Sequence, residues 1–353
     1  MIRHCPYHHR MLACNADMVD RLGIAAPLRY SSVAEEHTAT RTSVGIFDVY
    51  YQVAIEVCGP DAGAFLDYVC VNRVMSLANG TAVYTSLCND GGGIIDDLTA
   101  FRIGEERYWL CPTPSRVDAV TAHLGKHIVG RRAWATNLGY KNAYLSLQGP
   151  NSRALLQGLT VTDVSRESLP YFRLTLADVA DVPGVLISRT GFSGELGFEL
   201  FYPSEYAEHM WDAVFAAGKA FDAKPCGLGA LRTLRMEKRF PIFGLELDET
   251  TSPLEAGLGW TVKFQKGEFI GRSALLEQKR RGIPRRLVLL EIDGFDTGLA
   301  IGDKIDAGGG ETASVRSVDA GYTVGKTLVM AYLPTRCAVD GSSVALATTA
   351  GEL

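Results

Sequence analysis

The sequence predicts an α+β chain built of two related α+β modules followed by a small β-barrel. Three observations carry this reading. Alternating runs, Ala82 to Cys88 and Leu98 to Ile103, flank Gly91-Gly92-Gly93 in the manner of a β-hairpin. The phrase strand, Gly-Pro, helix occurs twice, at Gly59-Pro60 and at Gly149-Pro150, which reads as a weak internal repeat. Beyond Arg285 short strands alternate with Gly-rich turns, the pattern of a small barrel or sandwich. At 353 residues the chain is too long for one small core, so two or three domains are expected.

The elements follow in order. Residues up to about 30 are mixed in pattern. Residues 32–43 read as a helix, with Ser31 or Ser32 as N-cap and Glu35 or Glu36 in the first turn. Strands at 46–49 and 53–57 precede a short amphipathic helix at 61–70. After the hairpin come a strand at 107–111 and a helix at 114–126 that places Val117, Val120 and Leu124 on one side. Residues 142–148 form a strand that turns at Gly149-Pro150 into a helix from Asn151. Strands at 185–188 and 196–201 flank Thr190-Gly191-Phe192-Ser193-Gly194, and helices at 204–221 and 229–238 follow. The last strands are expected at 286–292, 313–318 and 327–331.

Composition bounds the function. A net charge of −5 leaves no footprint for nucleic acid or an anionic membrane. The basic run from Lys279 to Arg286 is broken by Gly282 and Pro284 and reads as a solvated helix end plus linker. No apolar run reaches the length of a membrane span. The 8 cysteines show no metal-ligand spacing, and several sit in apolar runs, which fits free thiols in a reducing cytoplasm. His4, His8 and His9 cluster without a completing acid or thiol and read as a mobile terminus, so no metal is expected.

The hairpin carries the chemistry. Asp96 and Asp97 stand where the return strand begins. Neighbouring strand residues point to opposite faces, so one can face a pocket and the other water. A carboxylate in such a pocket can accept a proton or hold a cationic centre. Turns are rich in Asp and Gly for purely structural reasons, so the rest of the chain has to supply the context.

That context is a set of phrases in register. They include Val44-Gly45-Ile46-Phe47-Asp48-Val49, Gly91 to Asp97, Gln148-Gly149-Pro150, Arg189-Thr190-Gly191-Phe192-Ser193-Gly194-Glu195 and Gly197-Phe198-Glu199. Gly227-Leu228-Gly229-Ala230, Ser252-Pro253-Leu254-Glu255-Ala256-Gly257 and Phe269-Ile270-Gly271-Arg272 continue the series. Together they resemble the aminomethyltransferase family, the glycine-cleavage T-protein type. The resemblance implies a three-domain cloverleaf around a channel that binds tetrahydrofolate. The implied division is residues 1–52 plus 135–245 as a folate-binding domain, 53–134 as the domain carrying the hairpin, and 246–353 as linker and barrel.

Carried over by position, Asp97 matches the family's catalytic carboxylate and Glu199 the glutamate that grips the pterin. A carboxylate suits that grip because the pterin N3–H and 2-amino group form a donor pair. Tyr84, Phe101 and Phe192 match aromatic lining positions, and Gln52 stands beside the donor side. Leu231 replaces a usual arginine, so Arg232 or Arg235 is expected to reach the folate in its place. Tyr50-Tyr51-Gln52 replaces a usual Ser-His-Met. These departures point to a one-carbon donor other than a lipoyl arm. Arg235-Met236-Glu237-Lys238 and Ser252 to Gly257 also resemble the folate half of dimethylglycine and sarcosine dehydrogenases. The implied activity is transfer of a one-carbon unit to N5 of tetrahydrofolate from a small-molecule donor, supplied by a separate oxidase or carrier protein. The alternatives are a tetrahydrofolate-dependent demethylase acting on an O-, N- or S-methyl compound and a folate-binding protein without turnover.

Overall fold

The computed structural model describes residues 2–295, 297–307, 311–348 and 351–352. Helix α1 (His8–Ala13) and a hairpin of β1 (Asp17–Arg21) and β2 (Ile24–Arg29) lead into α2 (Val33–Thr42) and β3 (Gly45–Asp48). A first run follows: β4 (Ile55–Cys58), α3 (Ala62–Val69), β5 (Thr81–Cys88), β6 (Ile94–Gly104), β7 (Arg107–Cys111), α4 (Val117–His127) and β8 (Trp134–Asn137). A second run has the same order: β9 (Asn142–Gln148), α5 (Ser152–Gln157), β10 (Leu174–Val179), β11 (Val182–Ser188), β12 (Gly197–Pro203), α6 (Ala207–Gly218) and β13 (Lys224–Cys226). The chain ends with α7 (Leu228–Glu237), α8 (Arg272–Arg281), β14 (Arg285–Asp293), β15 (Lys304–Asp306), β16 (Thr312–Gly321), β17 (Lys326–Pro334), β18 (Ala345–Thr348) and β19 (Gly351–Glu352).

The repeat read in the sequence is a repeat of topology. The first sheet has the order β5-β6-β7-β4-β8 and the second β10-β11-β12-β9-β3-β13. In each, the opening strand returns to lie beside the last strand of the following meander. The Gly-Pro turns explain the shared phrase. Gly59 and Gly149 adopt φ of +117° and +135°, where side chains are strained, and each backbone passes close to another segment. A Cβ on Gly149 would lie 2.2 Å from the Ser43 carbonyl oxygen.

Local chemistry sets the element ends. Ser32 caps α2: its Oγ accepts the Glu35 N–H at 3.2 Å, and the Glu35 carboxylate accepts the Ser32 N–H. Such a reciprocal cap contributes about 1 kcal/mol. The basic run at Lys279 to Arg281 is the last turn of α8, where cations face the negative end of the helix dipole.

Two expectations change. The N-terminus is not mobile: Tyr7 is fully buried, and its hydroxyl lies 3.0 Å from Asp48 Oδ1 and 2.9 Å from the Tyr144 carbonyl oxygen. Met11 is buried beside it. The C-terminal strands form an open sheet, β14-β17-β16-β15-β18-β19, and among the described residues no pairing closes it into the expected barrel. Among the described residues no helix is long and apolar enough to cross a membrane.

The first two sheets meet face to face. Phe201 of β12 is the junction: its ring stacks on Tyr144 at 4.2 Å and takes Phe101 and Trp109 edge-on, each at 5.9 Å. Residues of both sheets therefore share one core, whereas Leu98 and Ala100 on the opposite face of β6 pack with Phe65 and Leu66 under α3.

Candidate functional site

Alternation along β6 and β12 decides which side chains enter the junction. On β6, Asp97 and Thr99 share a face with Phe101. On β12, Glu199 shares a face with Phe201. Both predicted carboxylates thus project from the two faces that meet at the Phe101–Phe201 contact. Thr99 pairs with Cys111 across β6 and β7. The Cys111 thiol is pushed up by burial and, in smaller part, by the charge of Glu199, which places Glu199 against that pair. Asp97 follows two residues along the same face, about 7 Å further on.

Asp97 is held on one oxygen only. The Tyr84 hydroxyl donates to Oδ2 at 2.6 Å, while Oδ1 is buried with no partner. Burial pushes this carboxyl up to about 6, against the stabilising bond from Tyr84, and the charge of Glu246 adds to the rise. The Tyr84 phenol is raised well above its ordinary value by burial and by Asp97, so it stays a donor. Its ring lies against the indole of Trp260, with centroids 6.1 Å apart.

Asp96 does not face water, as the alternation suggested it could. It is completely buried on the other side of β6. Its Oδ2 accepts the Thr113 N–H at 2.9 Å and its Oδ1 has no partner. Burial, and then the neighbouring Asp97 charge, raise its carboxyl well above the usual range. The reason is helix α4, whose apolar side, with Val120 and Leu124 buried, covers this face of the sheet.

Glu199 accepts from the Thr190 hydroxyl, which in turn lies 2.7 Å from Ser188 Oγ. Burial raises the Glu199 carboxyl, against bonds from Thr190 and Tyr144. Beside Thr190, Gly191 lines a cavity of about 280 Å³ together with Tyr171, Arg189, Lys238 and Phe240. Phe192 packs on Phe240, 5.7 Å between centroids.

The remaining predicted residues divide. Gln52 reaches the Pro112 carbonyl at 3.4 Å, next to the Thr113 amide held by Asp96. Phe101 is 1% exposed, so it shapes the wall from within the core. Arg232 is drawn away: its Nε donates to Asp319 Oδ2 at 2.8 Å on the third sheet. Arg235 is fully buried and bonds Glu246 at 2.9 Å and Ser317 at 3.0 Å. Both arginines, expected to reach the folate, are thus engaged by acceptors within the protein. Trp260, Glu246, Tyr144 and Thr190 border the site without having been singled out. Thr190 lay inside a recognised phrase, and Glu246 and Tyr144 carried no local signal.

The chain is similar to proteins of one known family. The family described as the GCVT N-terminal domain matches residues 7–266. The chain is 37% identical to an aminomethyltransferase of Halothermothrix orenii over 94% of its length and 91% of that protein. It is 36% identical to an aminomethyltransferase of Bacillus subtilis over 98% of its length and 94% of that protein. The solved glycine cleavage system aminomethyltransferase T from Bartonella henselae superposes with a TM-score of 0.89 at 27% identity, covering 100% of this chain and 95% of that one.

Proposed function

We propose a function from one premise: the chain belongs to the aminomethyltransferase family. On that premise we infer a tetrahydrofolate-dependent one-carbon transferase. Tetrahydrofolate, when bound, supplies the N5 amine as nucleophile toward an activated one-carbon unit.

The observation that carries the reading is the half-satisfied carboxylate of Asp97. A buried oxygen without a partner is costly in a stable fold and calls for a ligand donor. Tyr84 fixes the carboxylate through Oδ2 and leaves Oδ1 free to meet an amine. With its carboxyl near 6, Asp97 is ionised at neutral pH yet basic enough to accept a proton. In that form it stabilises positive charge as it develops and takes the proton that the amine must lose.

Glu199 serves the other end. A carboxylate has lone pairs beyond the one that Thr190 uses, so it accepts from the donor pair of a pterin edge. Tyr84 and Trp260 give a flat wall, and Phe101, Phe192 and Gln52 bound the remaining space. The three large sheets support a division into three modules, with the site between the first two and the segment carrying Trp260 beside it. The donor is a small molecule bearing a one-carbon unit on nitrogen.

Two measurements test the function. Calorimetry with 5-formyltetrahydrofolate should give binding that Glu199→Gln weakens. Incubation with tetrahydrofolate and an aminomethyl donor should form 5,10-methylenetetrahydrofolate above the uncatalysed background. Absence of both would remove the assignment.

A further inference from the structure

We propose that Glu246 is a positioning residue for the reaction, a buried carboxylate that the third sheet holds behind Asp97 to tune it for accepting a proton; the inference rests on the reading of Asp97 as the base. It gives Arg235 a part in the site other than the folate contact expected of it.

A tight turn brings Glu246 there. The Ile242 carbonyl accepts the N–H groups of Leu245 and Glu246, each at 3.1 Å, and Glu246 Oε2 accepts the Ile242 N–H at 2.8 Å. Leu247, the next residue, is fully buried and packs with Ile94, Ala256 and Leu258 against Tyr84 and Phe243. Ile94 opens the strand that carries Asp97, and Tyr84 on the partner strand holds Asp97. The turn is therefore fastened to both strands of the Asp97 hairpin.

The third sheet fixes the carboxylate on that turn. Glu246 and Arg235 are both fully buried. One Arg235 nitrogen donates to Glu246 Oε1 at 2.9 Å and to the Phe240 carbonyl at 3.1 Å, and another donates to Ser317 Oγ at 3.0 Å. The Ser317 hydroxyl donates to the same Oε1, and the Tyr332 hydroxyl donates to the Glu246 carbonyl at 2.9 Å. Ser317 lies on β16 and Tyr332 on β17. Arg235 thus meets Glu246 at a single oxygen, its Nε being buried with no partner, instead of by the two parallel bonds of a fork. A carboxylate neutralised at one point and shielded from water acts strongly on its neighbours.

The groups around Asp97 set the sign. Tyr84 donates to it from β5, Asp96 adjoins it on the other face of β6, and Glu199 projects from β12 opposite. On the Asp96 side Arg116 is paired with Glu249, and beyond Arg235 the Arg232 side chain is paired with Asp319. Burial pushes the Asp97 carboxyl up to about 6, the Tyr84 bond opposes the rise, and the like charge of Glu246 supports it.

The test follows the Asp97 carboxyl itself. With isotope-labelled aspartate, the carboxyl NMR signal lost in Asp97→Asn gives the titration midpoint, expected near 6 in the wild type. Glu246→Gln removes the like charge and leaves Arg235 unpaired, and both changes act downward, so the midpoint should fall by about half a unit to one unit. R235M/E246M replaces the buried pair by apolar chains, which folds often tolerate, and should lower the midpoint by less. It decides the question where Glu246→Gln fails to fold. Glu237→Gln, at the end of the same helix as Arg235, should leave the midpoint in place. In turnover the acidic limb should follow the midpoint, while the plateau above it changes by about threefold or less. A midpoint that stays or rises when Glu246 is replaced, or that falls equally in Glu237→Gln, overturns the proposal. If the midpoints shift as stated but the wild type forms no 5,10-methylenetetrahydrofolate, the folate reading falls and the action of Glu246 on Asp97 stands.

Discussion

The Tyr84 hydroxyl donates a 2.6 Å hydrogen bond to Asp97 Oδ2, and the opposite oxygen of that carboxylate is buried without a partner. The pair joins two adjacent strands of one sheet and fixes the hairpin carboxylate by one oxygen. Tyr84→Phe removes the donor that opposes the effect of burial. The acidic limb of the pH–rate profile, expected near 6 in the wild type, should move upward by about one unit, since a hydrogen bond to a charged group contributes about 1.5–3 kcal/mol. The sign is fixed: activity needs the ionised form, so it rises as pH passes through the Asp97 value. A profile that does not move would separate Tyr84 from the titration.

Glu199→Gln keeps the shape of the side chain but turns one acceptor into a donor. It should weaken folate binding by about 2–4 kcal/mol, the cost of facing donor against donor in a buried site. Unchanged affinity by calorimetry would remove Glu199 from the pterin edge.

Asp96→Asn supplies a control with a structural readout. Asp96 is buried, burial and the neighbouring Asp97 charge push its carboxyl upward, and its Oδ2 holds the Thr113 amide. An asparagine keeps an acceptor for that amide but needs partners for its own donors. Stability should fall by about 1–3 kcal/mol, while folate affinity changes little. Denaturant unfolding and calorimetry on the same preparation check both halves.

Glu237 links α7 to the third sheet and to α2. It accepts from Arg41 at 2.7 Å and from Thr323 at 2.8 Å, and lies 3.3 Å from His37 Nε2. Burial alone would raise this carboxyl, but bonds from His37, Thr323 and Arg41 outweigh it and hold it down to about 2. A depressed carboxyl stabilises the fold above the ordinary carboxylate range, and the contribution is lost as pH falls toward 2. Glu237→Gln should therefore cost about 1–3 kcal/mol at pH 7. The gap between variant and wild type should close as unfolding is measured at progressively lower pH. A gap that is constant with pH would assign the loss to packing.

Much of this fold is written locally. The Ser32–Glu35 capping box, the Gly-Pro turns of the repeat and the hairpin around Gly91 are short-range patterns, and the elements appear where those patterns place them. What the sequence hid is long-range. Tyr7 meets Asp48 and Tyr144 across 41 and 137 residues, and nothing around Tyr7 announces it. Arg232 and Arg235 sit at the expected place on α7, yet Asp319, Glu246 and Ser317 engage them from segments with no local pattern linking them to α7. Asp96 and Asp97 were legible as a pair, and alternation separated them correctly. Their environments were not, because both faces of β6 are covered by elements remote in sequence.

The measurement that bears most directly on the site is turnover and folate affinity in Asp97→Asn. This change keeps size and polarity and removes both charge and basicity. Formation of 5,10-methylenetetrahydrofolate, followed above the spontaneous background, should fall by about 10² or more, from the loss of the general base. The Kd for 5-formyltetrahydrofolate should shift far less, because the grip proposed for the pterin lies at Glu199. Near-normal turnover in Asp97→Asn, or a fall explained entirely by lost folate binding, would contradict the role of Asp97 as the base that meets N5.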